Sequence, residues 1–167
     1  PRRERGLQLP ANIDTTQVPV VKFRELYYTI ARDPEYSAWH KLDHHDTDWG
    51  MWVHTFHPLL APDDYFEEHP EYFSLVKGKR IPNGQLCLTD EGVFRILVGN
   101  LRKRIVGNPQ AQYWSVSQND TFGYCECDRC AAVNQREGTP MGSILEFVNR
   151  VAAEFPDMQV IPYIIPG

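Results

Sequence analysis

The sequence lacks the features that mark several common classes of protein. No apolar run approaches the about 20 residues that a membrane-spanning helix needs. Positive charge is not in excess, because 17 Lys and Arg residues stand against 22 Asp and Glu residues. No glycine-rich phosphate loop follows the first strand-like segment. These absences predict a chain with no membrane span, no nucleic-acid partner and no nucleotide cofactor.

The two ends of the chain indicate the extent of the predicted domain. Residues 1–20 hold three prolines and mixed charge without a sustained period, which predicts an N-terminal arm or linker. The basic start is not followed by a signal-like apolar stretch, and the chain stops directly after a strand-like run. We therefore expect residues 21–167 to be part of a domain that continues in a larger polypeptide.

Strand-like and helix-like segments alternate along residues 21–167 and imply parallel strands joined by right-handed crossovers. The spacing of these five strand–helix units matches that of a (β/α)8 TIM-type barrel, which has about 250 residues in total. The sequence thus predicts roughly the first half of a barrel, and an open parallel α/β sheet is the alternative. The predicted strands are Lys22–Tyr28, Met51–Phe56, Gln85–Leu88, Tyr113–Ser117 and Met158–Ile165, and the strongest helical patterns begin near Asp90 and Ser143.

Polar side chains gather where three of these strands end. They are His54, Thr55 and His57 after the second strand, Cys87 and Thr89 near the end of the third, and Gln118, Asn119 and Asp120 after the fourth. Active sites of β/α barrels form at the carboxyl ends of the strands. The sequence therefore predicts a catalytic or binding site built from these residues.

Asp120 is the candidate for acid/base catalysis, because a shielded carboxyl group can have a pKa high enough to donate a proton near neutral pH. An equally simple interpretation is that Asp120 caps the following loop. Asn119 could hydrogen-bond a substrate amide or hydroxyl group. Trp52 offers a flat ring suited to a sugar face, although tryptophan more commonly packs in a core.

His54 and His57 with Asp120 could also be read as a catalytic metal site. The i, i+4 histidine pairing of zinc proteases is absent, so we predict that the two histidines donate hydrogen bonds to the substrate. No cofactor for catalysis is expected.

The chain has four cysteines, and three of them form a C-x-C-x-x-C cluster at Cys125, Cys127 and Cys130. Cys87 could reach this loop if the third and fourth strands are neighbours. Four thiolates would make a structural zinc site, two disulfides would suit an oxidising compartment, and unpaired thiols are the third alternative.

Three segments carry a resemblance to a known family. They are WVHTFHPLLAPDDYFEEHPEYFSLVKGKR, QLCLTDEGVFRI and SVSQNDTFGYCECDRCAAVNQREGTPMGSILEFVNRVAAEFP. They resemble the barrel domain of domain-of-unknown-function family 4838. That group contains glycoside hydrolase family 163, whose members are endo-β-N-acetylglucosaminidases acting on N-glycans.

The resemblance implies a (β/α)8 barrel in a bacterial, extracytoplasmic protein that degrades glycans. It implies a retaining mechanism in which the 2-acetamido group of the substrate attacks the anomeric carbon. Asp120 and Asn119 would then supply or orient catalytic groups, while His54, His57, Gln118 and Trp52 would bind sugar. Later strands of the same polypeptide would supply a further carboxylate. A non-catalytic carbohydrate-binding module or a structural metal-binding module is the alternative.

Overall fold

The computed structural model describes residues 12–18, 20–21 and 23–161. The chain divides into two compact units, Pro1–Asp43 and His44–Gly167. The predicted boundary between arm and domain, at residue 20, stays a prediction because much of the arm lies outside the described residues. Within the described part, we find no helix with the length and apolar character required to cross a membrane.

The first unit contains a 3-10 helix, Thr29–Arg32, and helix α1, Pro34–His40. Asp33 caps α1, since its Oδ1 accepts a hydrogen bond from the backbone N–H of Tyr36 at 2.8 Å. Proline occupies the first helical position, where a missing N–H costs nothing. Asp33 followed by Pro34 is therefore a local signal that starts this helix.

The first predicted strand, Lys22–Tyr28, is wrong, because the described residues 23–28 form no strand. A strand needs a neighbouring strand to hydrogen-bond with its backbone groups. The backbone N–H and carbonyl of Arg24 instead bond to a loop residue, Asp43. The Arg24 N–H donates to the Asp43 carboxylate at 2.9 Å, and the Arg24 carbonyl accepts from the Asp43 N–H at 2.8 Å. Strand propensity alone therefore misled the prediction.

The second unit contains a parallel sheet of three strands among the described residues. The elements in chain order are α2 His45–Asp48, β1 Trp49–Met51, α3 Phe56–Leu59, α4 Pro62–Tyr65, a 3-10 helix Pro70–Tyr72, β2 Leu75–Val76, β3 Lys79–Arg80, α5 Glu91–Gly107, β4 Tyr113–Ser115, α6 Asp128–Glu137, α7 Met141–Ala153 and β5 Gln159–Ile161. The order of strands in the sheet is β1-β4-β5, which is also their order along the chain. Strands β2 and β3 form a separate antiparallel hairpin.

Helices α5 and α7 are the long elements that the apolar pattern predicted. Asp90 caps α5 through its Oδ1, which accepts from the N–H of Gly92 at 2.8 Å and of Val93 at 3.4 Å. The two helices share one hydrophobic cluster with the sheet. The buried residues of that shared face are Val93, Leu97, Leu101 and Ile105 of α5 and Ile144, Phe147, Val148 and Val151 of α7.

Side-chain contacts join α5 directly to α7. The Arg150 guanidinium donates to both carboxylate oxygens of Glu91 at 2.9 Å and lies 4.4 Å from the centre of the Phe94 ring. The Phe94 ring meets Phe147 edge-on at 6.1 Å between centroids. The two crossover helices are therefore neighbours.

Trp114 of β4 forms the centre of the buried cluster, and Gly50 of β1 makes room for it. The Trp114 side chain is 1% exposed. A Cβ atom at Gly50 would lie 2.3 Å from the Trp114 ring, which is closer than real contacts allow. Glycine is required here because the aromatic ring occupies the space of its missing side chain.

Several predicted strands differ from the observed ones. The strand predicted over Met51–Phe56 ends at Met51, because Phe56 begins α3. The strand predicted over Gln85–Leu88 is wrong, since Leu86 makes only an isolated antiparallel bridge with Phe73. Tyr113–Ser117 is confirmed in its first three residues. Met158–Ile165 is observed as Gln159–Ile161, and residues 162–165 lie outside the described residues. The fold is thus mixed α/β with a parallel sheet, and the open-sheet alternative is consistent with it.

Candidate functional site

The segments that follow β1 and β4 run side by side at the carboxyl end of the sheet. The N–H groups of Thr55 and Phe56 both donate to the Ser117 carbonyl at 3.1 Å. In return, the Ser117 N–H donates to Thr55 Oγ1 at 2.9 Å. Thr55 and Ser117 are buried, so these bonds are shielded from water. The structure thereby brings together the two polar groups that the sequence placed at separate strand ends.

Asn119 joins three segments through its side-chain amide. Its Oδ1 accepts from the backbone N–H of His57 at 3.2 Å, and its Nδ2 donates to the Gly84 carbonyl at 3.1 Å. The side chain is 6% exposed. Both ends of the amide are engaged with the protein, so in this geometry Asn119 positions the His57 backbone.

Gln85 is a site residue that the sequence prediction did not include. It is 1% exposed, and its Oε1 accepts from the Asn119 N–H at 2.9 Å. Its Nε2 donates to the Asn119 carbonyl at 2.9 Å and to the Thr121 carbonyl at 2.7 Å. Gln85 therefore holds the backbone on both sides of Asp120. A glutamine beginning an apolar segment was the only signal in the sequence.

His54 is held in an unusual backbone conformation. Its φ angle is 56°, in the left-handed region that non-glycine residues adopt infrequently. Its Nδ1 lies 3.2 Å from the Gln118 carbonyl, which can only accept. Nδ1 therefore carries the proton, and Nε2 of the neutral ring is a hydrogen-bond acceptor. Such strain is common at functional sites.

Two buried polar atoms at this end of the sheet lack a hydrogen-bond partner. They are Nε2 of His57 and Oε1 of Gln118. Burial lowers the pKa of His57, and the nearby Gly84 backbone offsets this only in part. Buried polar atoms without partners are costly, so these two atoms indicate where a bound molecule would donate or accept. We name the group formed by His54, His57, Gln118, Asn119 and Asp120 the strand-end cluster.

Trp52 and Asp120 flank this cluster in different environments. Trp52 is half-buried, and its ring stacks on His45 at 4.9 Å and meets Trp49 edge-on at 4.4 Å between centroids. Asp120 is exposed. The described residues therefore do not provide the shielding that the sequence analysis expected around its carboxyl group. The roles predicted for these residues stay predictions.

The four cysteines meet at a second location, which we name the cysteine cluster: Cys87, Cys125, Cys127 and Cys130. Their sulfur atoms all lie within 4.8 Å of one another. Cys87 Sγ is 3.6 Å from Cys127 Sγ and 4.0 Å from Cys130 Sγ. Three of the four side chains are buried, and none is in a disulfide. The predicted convergence of Cys87 on the loop is confirmed, and the group could bind a metal ion.

Donor groups surround the sulfur atoms. The Leu75 N–H donates to Cys125 Sγ at 3.4 Å, and Arg80 Nη1 lies 3.8 Å from the same sulfur. Hydrogen bonds with Cys130 and Cys87 lower the pKa of Cys125, whereas the bond with Cys125 raises the pKa of Cys130. The Cys125 thiolate is thus stabilised by its neighbours, whereas the thiol form of Cys130 is favoured beside it.

Comparison with known proteins assigns the family. The model of the family described as domain of unknown function (DUF4838) matches residues 1–163, nearly the whole chain. The chain therefore belongs to that family, as its sequence segments indicated. No curated protein and no solved structure matches the chain.

Proposed function

We propose that this chain is part of a glycoside hydrolase that acts on glycans containing N-acetylhexosamine, with the strand-end cluster as the sugar site. The observation that carries the proposal is the pair of buried, unpartnered atoms, His57 Nε2 and Gln118 Oε1, at the carboxyl end of a parallel sheet. A polyhydroxylated ligand offers both donors and acceptors to such atoms. The resemblance to glycoside hydrolase family 163 supports the same assignment.

The proposed scaffold is a (β/α)8 barrel. Strands β1, β4 and β5 are neighbours in chain order, and the crossover helices α5 and α7 contact each other. A barrel wall has this sequential order with its helices on one face, whereas a doubly wound sheet reverses its strand order. A barrel has eight strands, so strands beyond these three would complete the site and enclose Asp120.

The proposed reaction is retaining hydrolysis assisted by the substrate. The acetamido oxygen attacks the anomeric carbon while the bond from that carbon to the leaving oxygen breaks. Asp120 donates a proton to the leaving oxygen or orients the acetamido group, and His54 and His57 bind sugar hydroxyls. Water then attacks the anomeric carbon of the cyclic intermediate and regenerates the acetamido group. Because such glycans decorate secreted and surface proteins, we propose an extracytoplasmic location.

The test is Asp120→Asn in the full-length protein, assayed on an N-glycopeptide and on a chromogenic N-acetylglucosaminide. If Asp120 is the acid, kcat falls by about 10²–10⁴ while binding of the glycan persists. Asp157→Asn is the matched control, because Asp157 is exposed in the turn that precedes β5, at the opposite end of the sheet. Unchanged hydrolysis by Asp120→Asn would remove this residue from the mechanism.

A non-catalytic sugar-binding module is the second candidate, and the exposure of Asp120 favours it. On that reading the full-length protein binds the glycopeptide without cleaving it. His57→Ala and Gln118→Ala would then weaken binding, whereas Asp120→Asn would leave it unchanged.

A further inference from the structure

We propose that the cysteine cluster binds one zinc ion through four thiolates, as a closed structural site. This inference does not depend on the proposed function, since it uses a different group of residues. Four protein ligands leave no open position on a tetrahedral ion, which is the arrangement of structural rather than catalytic zinc.

The spacing of the sulfur atoms fits a single tetrahedral ion. With Zn–S bonds of about 2.3 Å, the sulfurs of a regular tetrahedron lie about 3.8 Å apart. Two separations from Cys87, 3.6 Å to Cys127 and 4.0 Å to Cys130, bracket this value, and all four sulfurs lie within 4.8 Å of one another. A disulfide would need about 2.05 Å. An iron–sulfur cluster would need more room, because several irons and sulfides would lie between the thiolates.

The surroundings suit thiolates bound to a metal. A zinc ion with four thiolates carries a net charge of −2, which needs nearby donors or positive charge. The Leu75 N–H and the Arg80 guanidinium face Cys125, and Thr89 Oγ1 lies 3.2 Å from Cys130 Sγ. Arg80 also donates to the Phe73 carbonyl at 2.6 Å, which fixes the position of its guanidinium.

The ion would link two separate segments of the chain. Cys87 precedes α5, Cys125 follows the strand-end cluster, and Cys127 and Cys130 lie at the start of α6. Gln85 stands two residues before Cys87 and bonds to the backbone of Asn119 and Thr121. Zinc would therefore fix both the loop that carries Asp120 and the glutamine that supports it.

The test begins with metal analysis of the full-length protein, purified under reducing conditions without a metal-affinity step. We expect about one zinc per chain and four cysteines that react with a thiol reagent only after a chelator removes the metal. Replacement by Co²⁺ should give the intense visible absorption and sulfur-to-metal charge-transfer bands of a tetrahedral tetrathiolate site.

Cys127→Ser is the first variant, because Cys127 is the least buried of the four and its loss should disturb packing least. It should lower zinc affinity at least tenfold in competition with a chromophoric chelator. His69→Gln is the control, since His69 is an exposed potential ligand outside the cluster, and it should retain zinc. If the folding of Cys127→Ser fails, the cobalt spectrum of the unaltered protein still decides.

Three results would overturn the proposal. One is an intact mass lower by four hydrogens, which would show two disulfides. Another is full retention of zinc by both Cys87→Ser and Cys127→Ser, which would put the metal elsewhere. The third is about one equivalent of iron in place of zinc.

Discussion

The strand-end cluster and the cysteine cluster both draw residues from the loop between β4 and α6 but differ in how their groups are used. In the cysteine cluster, four side chains of one chemical type converge, and the distances between their sulfurs fit one ion. In the strand-end cluster, the side-chain amide of Asn119 is bonded to backbone groups, and the amide of the neighbouring Gln85 is bonded to the backbone of Asn119 and Thr121. Only His57 Nε2 and Gln118 Oε1 remain for a ligand among the buried atoms described there.

The difference shows that proximity of polar groups is not enough to define a binding site. A network that satisfies its own hydrogen bonds is scaffolding, even where it lies at the carboxyl end of a sheet. Four sulfur atoms within 4.8 Å of one another can all be thiolates only around a shared cation, because each thiolate carries the same charge. An occupant is therefore implied more strongly in the cysteine cluster than in the strand-end cluster.

The largest expected effect on stability comes from removing a metal ligand of the cysteine cluster, since no ion is proposed for the strand-end cluster. Cys130→Ala should lower the free energy of unfolding by more than about 4 kcal/mol, because it removes a buried side chain and the ion together. Urea unfolding with and without a chelator measures it. A chelator should destabilise the unaltered protein and leave the variant unaffected. If the chelator destabilised Cys130→Ala as much as the unaltered protein, the substitution and the chelator would not act through loss of the same ion.

The second effect tests whether Gln85 is scaffolding. Gln85→Ala leaves the Asn119 N–H and the carbonyls of Asn119 and Thr121 without their buried partner. We expect a loss of about 3 kcal/mol, measured by urea unfolding, since orphaned buried groups cost about 1–3 kcal/mol each. Gln135→Ala on the exposed face of α6 is the control and should change stability little. If both variants lost a similar amount of unfolding free energy, Gln85 would not be a specific support of this backbone.

The third effect concerns the packing beneath the strand-end cluster. Gly50→Ala forces a Cβ atom into the Trp114 ring and should cost about 2 kcal/mol, within the range for overpacked cores. Gly99→Ala is the matched substitution, because no atom lies within 4 Å of its added Cβ in α5. It should stabilise the helix by about 0.5–1 kcal/mol. Thermal unfolding measures the change in stability of each variant. If both substitutions stabilised the protein, or both destabilised it, the close packing of Trp114 against Gly50 would be contradicted.

The smallest effect is a pH dependence that arises from His57. Its pKa is lowered in the folded protein, so the unfolded chain binds the proton more readily, with a pKa of about 6.5. The free energy of unfolding should therefore decrease as the pH falls through about 6.5, with a slope below about 1.4 kcal/mol per pH unit. His57→Gln should flatten this slope in unfolding measured from pH 5 to 8. The exposed, non-titrating control Gln135→Ala should leave it unchanged.

Local signals in the sequence predicted the helices well. Asp90 caps α5, Asp33 caps α1, and the apolar faces of α5 and α7 are buried where the helical period indicated. Capping and periodicity depend on residues within a few positions, so the sequence displays them directly.

Strands and site geometry were harder to predict because their partners lie far along the chain. The segment at Gln85–Leu88 has strand-like composition, yet its glutamine bonds to backbone groups 34 and 36 residues away. The strand predicted to reach Phe56 stops at Met51, and the Phe56 N–H instead bonds to the Ser117 carbonyl. Which polar atoms stay unpartnered depends on such long-range contacts and has no signature in the sequence.

The cysteines were the most informative site residues, because their convergence needed only one assumption about neighbouring segments. That convergence is observed even though the third predicted strand is not part of the sheet. The loop position of Cys87, rather than strand pairing, brings it to the other three.

X-ray absorption spectroscopy at the zinc edge of the purified full-length protein is the decisive measurement for the zinc site. We expect four sulfur atoms at about 2.3 Å from the zinc and no lighter ligand. In Cys127→Ser, oxygen or nitrogen should replace at least one sulfur around any zinc that remains. An unaltered protein that holds no zinc, or whose zinc is bound mainly by oxygen and nitrogen, would show that the cysteine cluster is not a zinc site.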